Sequence, residues 1–223
     1  MSKQFKGIIF DMDGTMIDNM MVHHHAWKRK LSSLGLEMSL EEIMEKVHGI
    51  NEEIIARLFG DRFTPEERKK ISAEKEAEYR KIFLPQLKLI EGLAECLDKL
   101  VAREIPMAVG TAAPPGNVEF VVDNLQLAPY FKGIFHSRSV KKGKPDPEIF
   151  EMAAGSMGLQ AKDCLVFEDS LTGVETALNA GAKVVVVTTT HQEEEFEHFS
   201  NILFYIKNYN DPQLQQLLSN HFS

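Results

Sequence analysis

Four apolar runs of four or five residues, at 7–10, 105–109, 164–167 and 183–187, each stop abruptly at polar residues. Runs so short and so continuously apolar suit strands buried on both faces of a parallel sheet. Weaker runs lie at 133–135 and 202–206. Helical patterns at 92–103, 117–124, 147–157 and 171–180 fall between them. Pro145 and Pro147 mark one helix start, and Gly181 follows another helix as a C-terminal cap. Strict strand–helix alternation through 92–190 predicts an α/β fold with a doubly wound parallel-sheet, Rossmann-like core.

Residues 19–83 break the alternation. They carry helical periodicity and no strand pattern, with breaks near Gly35, Gly49 and Gly60. The expected organisation is a core of residues 1–17 and 85–223, with an α-helical domain of about four helices inserted at 18–84. Within it, EERKKISAEKEAEYRKIF reads as one long charged helix with a solvated face.

The formal net charge of -8 argues against nucleic acid as a partner, because phosphate backbones need a basic surface. An acidic chain that handles phosphate must gather positive charge at one place. No stretch approaches the roughly 20 apolar residues of a membrane helix, and the start is too short in apolar residues for a signal peptide. Cys96 and Cys164 both sit in apolar patterns and read as small core residues rather than a disulfide. The expectation is a soluble cytoplasmic protein that touches no membrane.

In open parallel sheets, ligands bind beyond the carboxyl ends of the strands. Those ends carry Asp11 and Asp13, then Thr111, then Glu168 and Asp169. So many carboxylates are costly together unless a cation neutralises them, and oxygen ligands suit a hard ion such as Mg²⁺. Asp11 at a strand tip suits an unprotonated nucleophile that attacks phosphorus. Asp13, two residues on, suits a general acid and then base. Gly14 lets the chain turn there. Lys144, in a proline-rich loop before a helix, suits a cation holding both nucleophile and phosphoryl oxygens, with the Thr111 hydroxyl on the same phosphate.

Taken in order, FDMDGT, the strand ending Gly110-Thr111, GKPDP and VFEDS resemble the four motifs of the haloacid dehalogenase superfamily of phosphohydrolases. The resemblance runs from Gly7 to about Thr190. It implies phosphorylation of Asp11, acid–base chemistry at Asp13, and phosphate binding by Thr111 and Lys144. It also implies Mg²⁺ held at Asp11, by the Asp13 backbone carbonyl, and by Glu168 and Asp169. The helical insert looks like the cap of the β-phosphoglucomutase-like branch. That branch implies a gating histidine at His23 and a lysine at Lys75 acting with it, and hinges near 15–18 and 84–88. His48, in a cap loop, and Ala112, opening the loop after Thr111, are candidate substrate contacts.

Blander readings exist for each. Asp11 and Asp13 also fit a capped turn, Lys144 an exposed lysine, and Glu168 or Asp169 a helix cap. His23, His24 and His25 point about 100° apart on a helix and cannot share one metal ion. Thr188–Thr190 reads as strand end and turn.

The expected function is hydrolysis of a small phosphate ester, such as a sugar phosphate, by a monomer. A phosphosugar mutase is the alternative. It is disfavoured because Glu52 stands where that branch's mutase has an arginine for a second phosphate, and because Ala112-Ala113-Pro114-Pro115 replaces a polar substrate loop. A phosphorylation-controlled receiver domain is a third reading, opposed by the Asp-x-Asp spacing and the insert. Dehalogenation needs neither Asp13 nor a metal and is discounted.

Overall fold

The computed structural model describes residues 5–220. Six strands form one sheet: β1 Gly7–Phe10, β2 Met107–Gly110, β3 Ile134–Phe135, β4 Cys164–Glu168, β5 Lys183–Val187 and β6 Ile202–Ile206. Their order is β3-β2-β1-β4-β5-β6, and every neighbouring pair is parallel. The expected α/β fold is the observed one. Strand order reverses direction at β1, where ligands collect in sheets of this type.

All four residues of β1 and β2 and all five of β4 are buried, which explains their unbroken apolar runs. On one face Ile9, Ala108, Val166, Val184 and Val186 pack with Phe150 and Val174 of the covering helices. The other face carries an aromatic layer. Phe10 stacks on Phe167 with centroids 5.0 Å apart, and Tyr209 tilts against Phe167 at 5.3 Å. Full burial of such a ring contributes about 1.5–3 kcal/mol.

Two compact units emerge. Asn19–Leu87 forms one, and the described chain on either side forms the other. The helical unit holds α1 Met20–Ser33, α2 Leu40–Lys46, α3 Asn51–Phe59 and α4 Pro65–Phe83. Ser39 with Glu42, and Thr64 with Glu67, form capping boxes that start α2 and α4. The unit's own core is Trp27, Leu31, Ile43, Val47, Ile54, Ile55 and Ile71.

The sheet unit adds α5 Leu93–Ala102, α6 Pro115–Asn124, α7 Glu148–Ser156, α8 Leu171–Asn179 and α9 Pro212–Asn220. The sequence reading missed α9. Pro115 is the first residue of α6, where a missing N–H costs nothing. The chain leaves the sheet unit and returns to it at one point, where the Ile90 N–H donates to the Met16 carbonyl at 2.9 Å. Tyr209 fastens the same place, donating from its backbone to Glu91 and from its hydroxyl to the Thr15 carbonyl. No helix among the described residues is long and apolar enough to cross a membrane.

Candidate active site

Parallel pairing sets the site. Phe10 pairs with Phe167 and Val109, so the next residues, Asp11 and Glu168, leave adjacent strands side by side. The Asp11 N–H donates to the Phe167 carbonyl at 3.0 Å, which continues the ladder through the reactive residue. Oxygens of Asp11, Glu168 and Asp169 lie within 4.8 Å of one another, and all three residues are buried.

Lys144 comes from the loop between β3 and α7. Its side chain is 6% exposed, and its ammonium donates to Asp11 Oδ1 at 2.7 Å and Glu168 Oε1 at 2.6 Å. Burial works against that charge, yet the two carboxylates outweigh it and raise the lysine's pKa. The exposed-lysine reading is therefore set aside.

Lys144 neutralises only part of the triad. Burial, then the Glu168 and Asp13 charges, push Asp11 up to about 7 despite Lys144. Burial, then Glu168 and Asp11, raise Asp169 well above the carboxylate range. Three buried carboxylates and one ammonium leave surplus negative charge on oxygen donors alone. That donor set fits a hard divalent cation.

Glu168 also organises the loop after β4. Its Oε2 accepts from the N–H groups of Asp169 and Ser170, each at 2.8 Å, and from the Ser170 hydroxyl at 3.0 Å. Ser170 is the N-cap of α8, accepting from the Gly173 N–H. Neither acidic residue is thus the cap itself. Gly173 is required because a Cβ there would lie 1.6 Å from Glu168 Oε1.

Thr111 is buried just past β2, and its hydroxyl accepts from the Ala113 N–H at 3.1 Å. Ala112 is exposed. Asp13 is half-buried in the turn after β1, and it bridges to Ile17. It is not in the close acidic triad. Gly14 has φ of 75°, and a Cβ on it would come within 2.0 Å of Asp169 Oδ2.

Thr188–Thr190 form the expected strand end and turn after β5, and two of their hydroxyls also reach the acidic site. The Thr190 hydroxyl donates to Asp169 Oδ2, and the Thr189 hydroxyl donates to the Gly14 carbonyl. Thr15, fully buried, donates to Asp169 Oδ1 at 3.2 Å. Their reach to Asp169 follows from β5 lying beside β4, which only the strand order reveals.

The helical unit holds a second polar cluster. Lys75 is 2% exposed, with its ammonium 2.8 Å from His23 Nδ1 and 2.9 Å from Glu76 Oε1. His23 stacks on Tyr79 with centroids 3.9 Å apart. Burial, then the Lys75 charge, push His23 down to about 3. A neutral imidazole leaves Nδ1 a lone pair for Lys75. Asn51 donates to Glu76 Oε1 at 2.7 Å and to Ser72 Oγ at 3.1 Å. The solvated face expected for α4 is only part of it. Positions 72, 75, 76 and 79 form a buried, largely polar stripe at helical spacing. His48 is exposed and outside this cluster; its carbonyl accepts from Arg57 at 3.1 Å.

Residues 5–181 match the haloacid dehalogenase-like hydrolase family. A Thermotoga maritima protein named phosphorylated carbohydrates phosphatase is 30% identical over 79% of this chain and 82% of its own. The β-phosphoglucomutase of Bacillus subtilis is 27% identical over 82% of this chain and 83% of its own. A crystal structure of a family IA hydrolase from Entamoeba histolytica superposes with a TM-score of 0.86. It is 26% identical and covers 97% of this chain and 100% of its own. The chain belongs to the haloacid dehalogenase-like hydrolases, in their β-phosphoglucomutase-like branch.

Proposed function

We propose that the protein is a Mg²⁺-dependent phosphatase of a small phosphorylated sugar, working through an aspartyl-phosphate at Asp11. The observation that carries this reading is the buried cluster at the β1 and β4 ends, where Asp11 meets Lys144 beside Glu168 and Asp169. A carboxylate oxygen of Asp11 forms the new bond to phosphorus while the bond from phosphorus to the sugar oxygen breaks. Asp13 gives its proton to the departing oxygen. Water then attacks the acyl phosphate, Asp13 takes its proton, and inorganic phosphate leaves. Lys144 and the Thr111 hydroxyl hold phosphoryl oxygens in both steps. Asp11, Glu168 and Asp169, with the Asp13 carbonyl, hold the cation. When bound, Mg²⁺ offsets the charge that builds on the phosphoryl group.

Residues 18–84 act as the cap, and its closure excludes water and bulky substrates. His23 and Lys75 gate Asp13, while His48 and Ala112 contact substrate. The protein acts as a cytoplasmic monomer. The name of the Thermotoga relative supports a phosphorylated carbohydrate as substrate. Glu52 and Glu53 begin α3, so a second phosphate there meets like charge. That favours hydrolysis over mutase chemistry. The buried Lys75–His23 pair is the observation that favours a mutase, which returns the phosphoryl group to a sugar.

The test is phosphate release with Mg²⁺ from a panel of sugar phosphates. It includes β-glucose 1-phosphate, with and without glucose 1,6-bisphosphate. Steady release from one ester, abolished by Asp11→Asn, supports the phosphatase. Conversion to glucose 6-phosphate with little phosphate released establishes the mutase instead. Substantial turnover by Asp11→Asn overturns the nucleophile.

A further inference from the structure

Asp169 is 3% exposed and accepts a hydroxyl hydrogen bond at each carboxylate oxygen. Thr15 donates to Oδ1 at 3.2 Å from the turn after β1, and Thr190 donates to Oδ2 from the turn after β5. The two donors therefore reach one carboxylate from strands on either side of β4. Thr189 locks these turns together through the Gly14 carbonyl. Gly14 itself leaves no room between them, because its Cβ would come within 2.9 Å of Thr190 Oγ1.

The terminal torsion of an aspartate is broad and only weakly held by its own sterics. One donor fixes one oxygen and leaves the plane free to tilt about it. Two donors from opposite sides fix the plane. Each hydroxyl has a single proton, and each carboxylate oxygen has a second lone pair, so the arrangement orients Asp169 without exhausting its acceptors. A ligand held this way loses little freedom when a cation arrives.

We propose that Thr190, together with Thr15, is a positioning residue that orients the Asp169 carboxylate and so sets the affinity of the acidic triad for a divalent cation. The inference rests on the cation reading above. Thr190 acts through Asp169 and touches neither substrate nor the reacting phosphorus. Outer-shell partners of this kind change metal affinity by roughly 10–100-fold when removed.

The test is Mg²⁺ and Mn²⁺ titration of the substrate-free protein by calorimetry, for wild type, Thr190→Val, Thr190→Ser and Asp169→Asn. Valine keeps the shape and removes the proton donor; serine keeps the donor. The expected result is cation binding at least tenfold weaker in Thr190→Val and restored to within about threefold in Thr190→Ser. The metal-free melting temperature of Thr190→Val should stay within a few degrees of wild type. If that variant unfolds, Thr15→Ser and Thr15→Val give the same comparison at Oδ1. Unchanged affinity in Thr190→Val with binding lost in Asp169→Asn overturns this inference alone. Unchanged affinity in Asp169→Asn overturns the cation reading and the inference with it.

Discussion

Replacing Lys144 by Met removes an ammonium partner shared by Asp11 and Glu168 while keeping much of the side chain's length. The lysine gives charged hydrogen bonds of 2.7 and 2.6 Å to those two carboxylates. Each such bond contributes about 1.5–3 kcal/mol. Losing both gives about 3–6 kcal/mol, in line with the ~3–5 kcal/mol for breaking a buried ion pair from one side. The ammonium also lies 4.7 Å from the Phe150 ring centroid, a contact that methionine partly keeps. For a chain of this size the loss lowers the melting temperature by about 6–24 °C. The assay is urea denaturation of wild type and Lys144→Met in chelator, followed by repetition with added Mg²⁺. The variant should regain more stability from the cation than wild type does, because the cation then offsets charge that lysine no longer meets. A loss under about 1 kcal/mol in chelator would refute the view that these carboxylates depend on Lys144.

Asp13→Asn should lower turnover by about 10²–10⁴-fold on esters with poor leaving groups and far less on p-nitrophenyl phosphate; equal losses on both would remove Asp13 as the general acid. Gly173→Ala places a methyl against Glu168, so it should cost more than about 2 kcal/mol in urea denaturation, where an ordinary helical Gly→Ala change stabilises. His23, half-buried, has a folded pKa near 3, below its ordinary 6.5, so its neutral form stabilises the fold. That contribution is full above pH 6.5 and is lost as the pH falls from there toward 3. Between pH 6.5 and 5 wild type should lose about 1.6 kcal/mol more than His23→Gln. Parallel stability profiles for the two proteins would contradict the assigned shift.

The strands were legible because burial on both faces leaves an unbroken apolar run in the sequence. The reading of 202–206 as a weaker strand coincides with β6, an edge strand whose residues are mostly half-exposed. Asp11, Glu168 and Asp169 were legible because charged residues at strand ends have few reasons to be there without chemistry, and Lys144 because its proline-rich loop precedes a helix. Thr15 and Thr190 were not. A threonine beside a strand is ordinary, and only strand order shows that β5 ends next to the acidic triad. The stripe on α4 stayed hidden for a related reason. Lys75 and Glu76 have the composition of a solvated helix, and their burial depends on Asn51 and His23, which lie more than twenty residues away. The short α9 has Gln at three of its nine positions and was passed over, although Leu214 and Leu218 stand one turn apart and are both buried.

The hydrogen bond from Ile90 to Met16, with Tyr209 fastened beside it, closes the base of a long excursion of the chain. Everything between those residues is, to the sheet, one loop whose ends already touch. Closure entropy grows only as the logarithm of loop length, about 0.6 kcal/mol per doubling. Exchanging residues 19–87 for a linker roughly one-eighth as long changes that cost by only about 2 kcal/mol, in the sheet's favour. A scaffold joined this way can accept inserts of very different size without renegotiating its own strand pairing. A linker-bridged sheet unit that failed to unfold cooperatively would show that the two units are not separable.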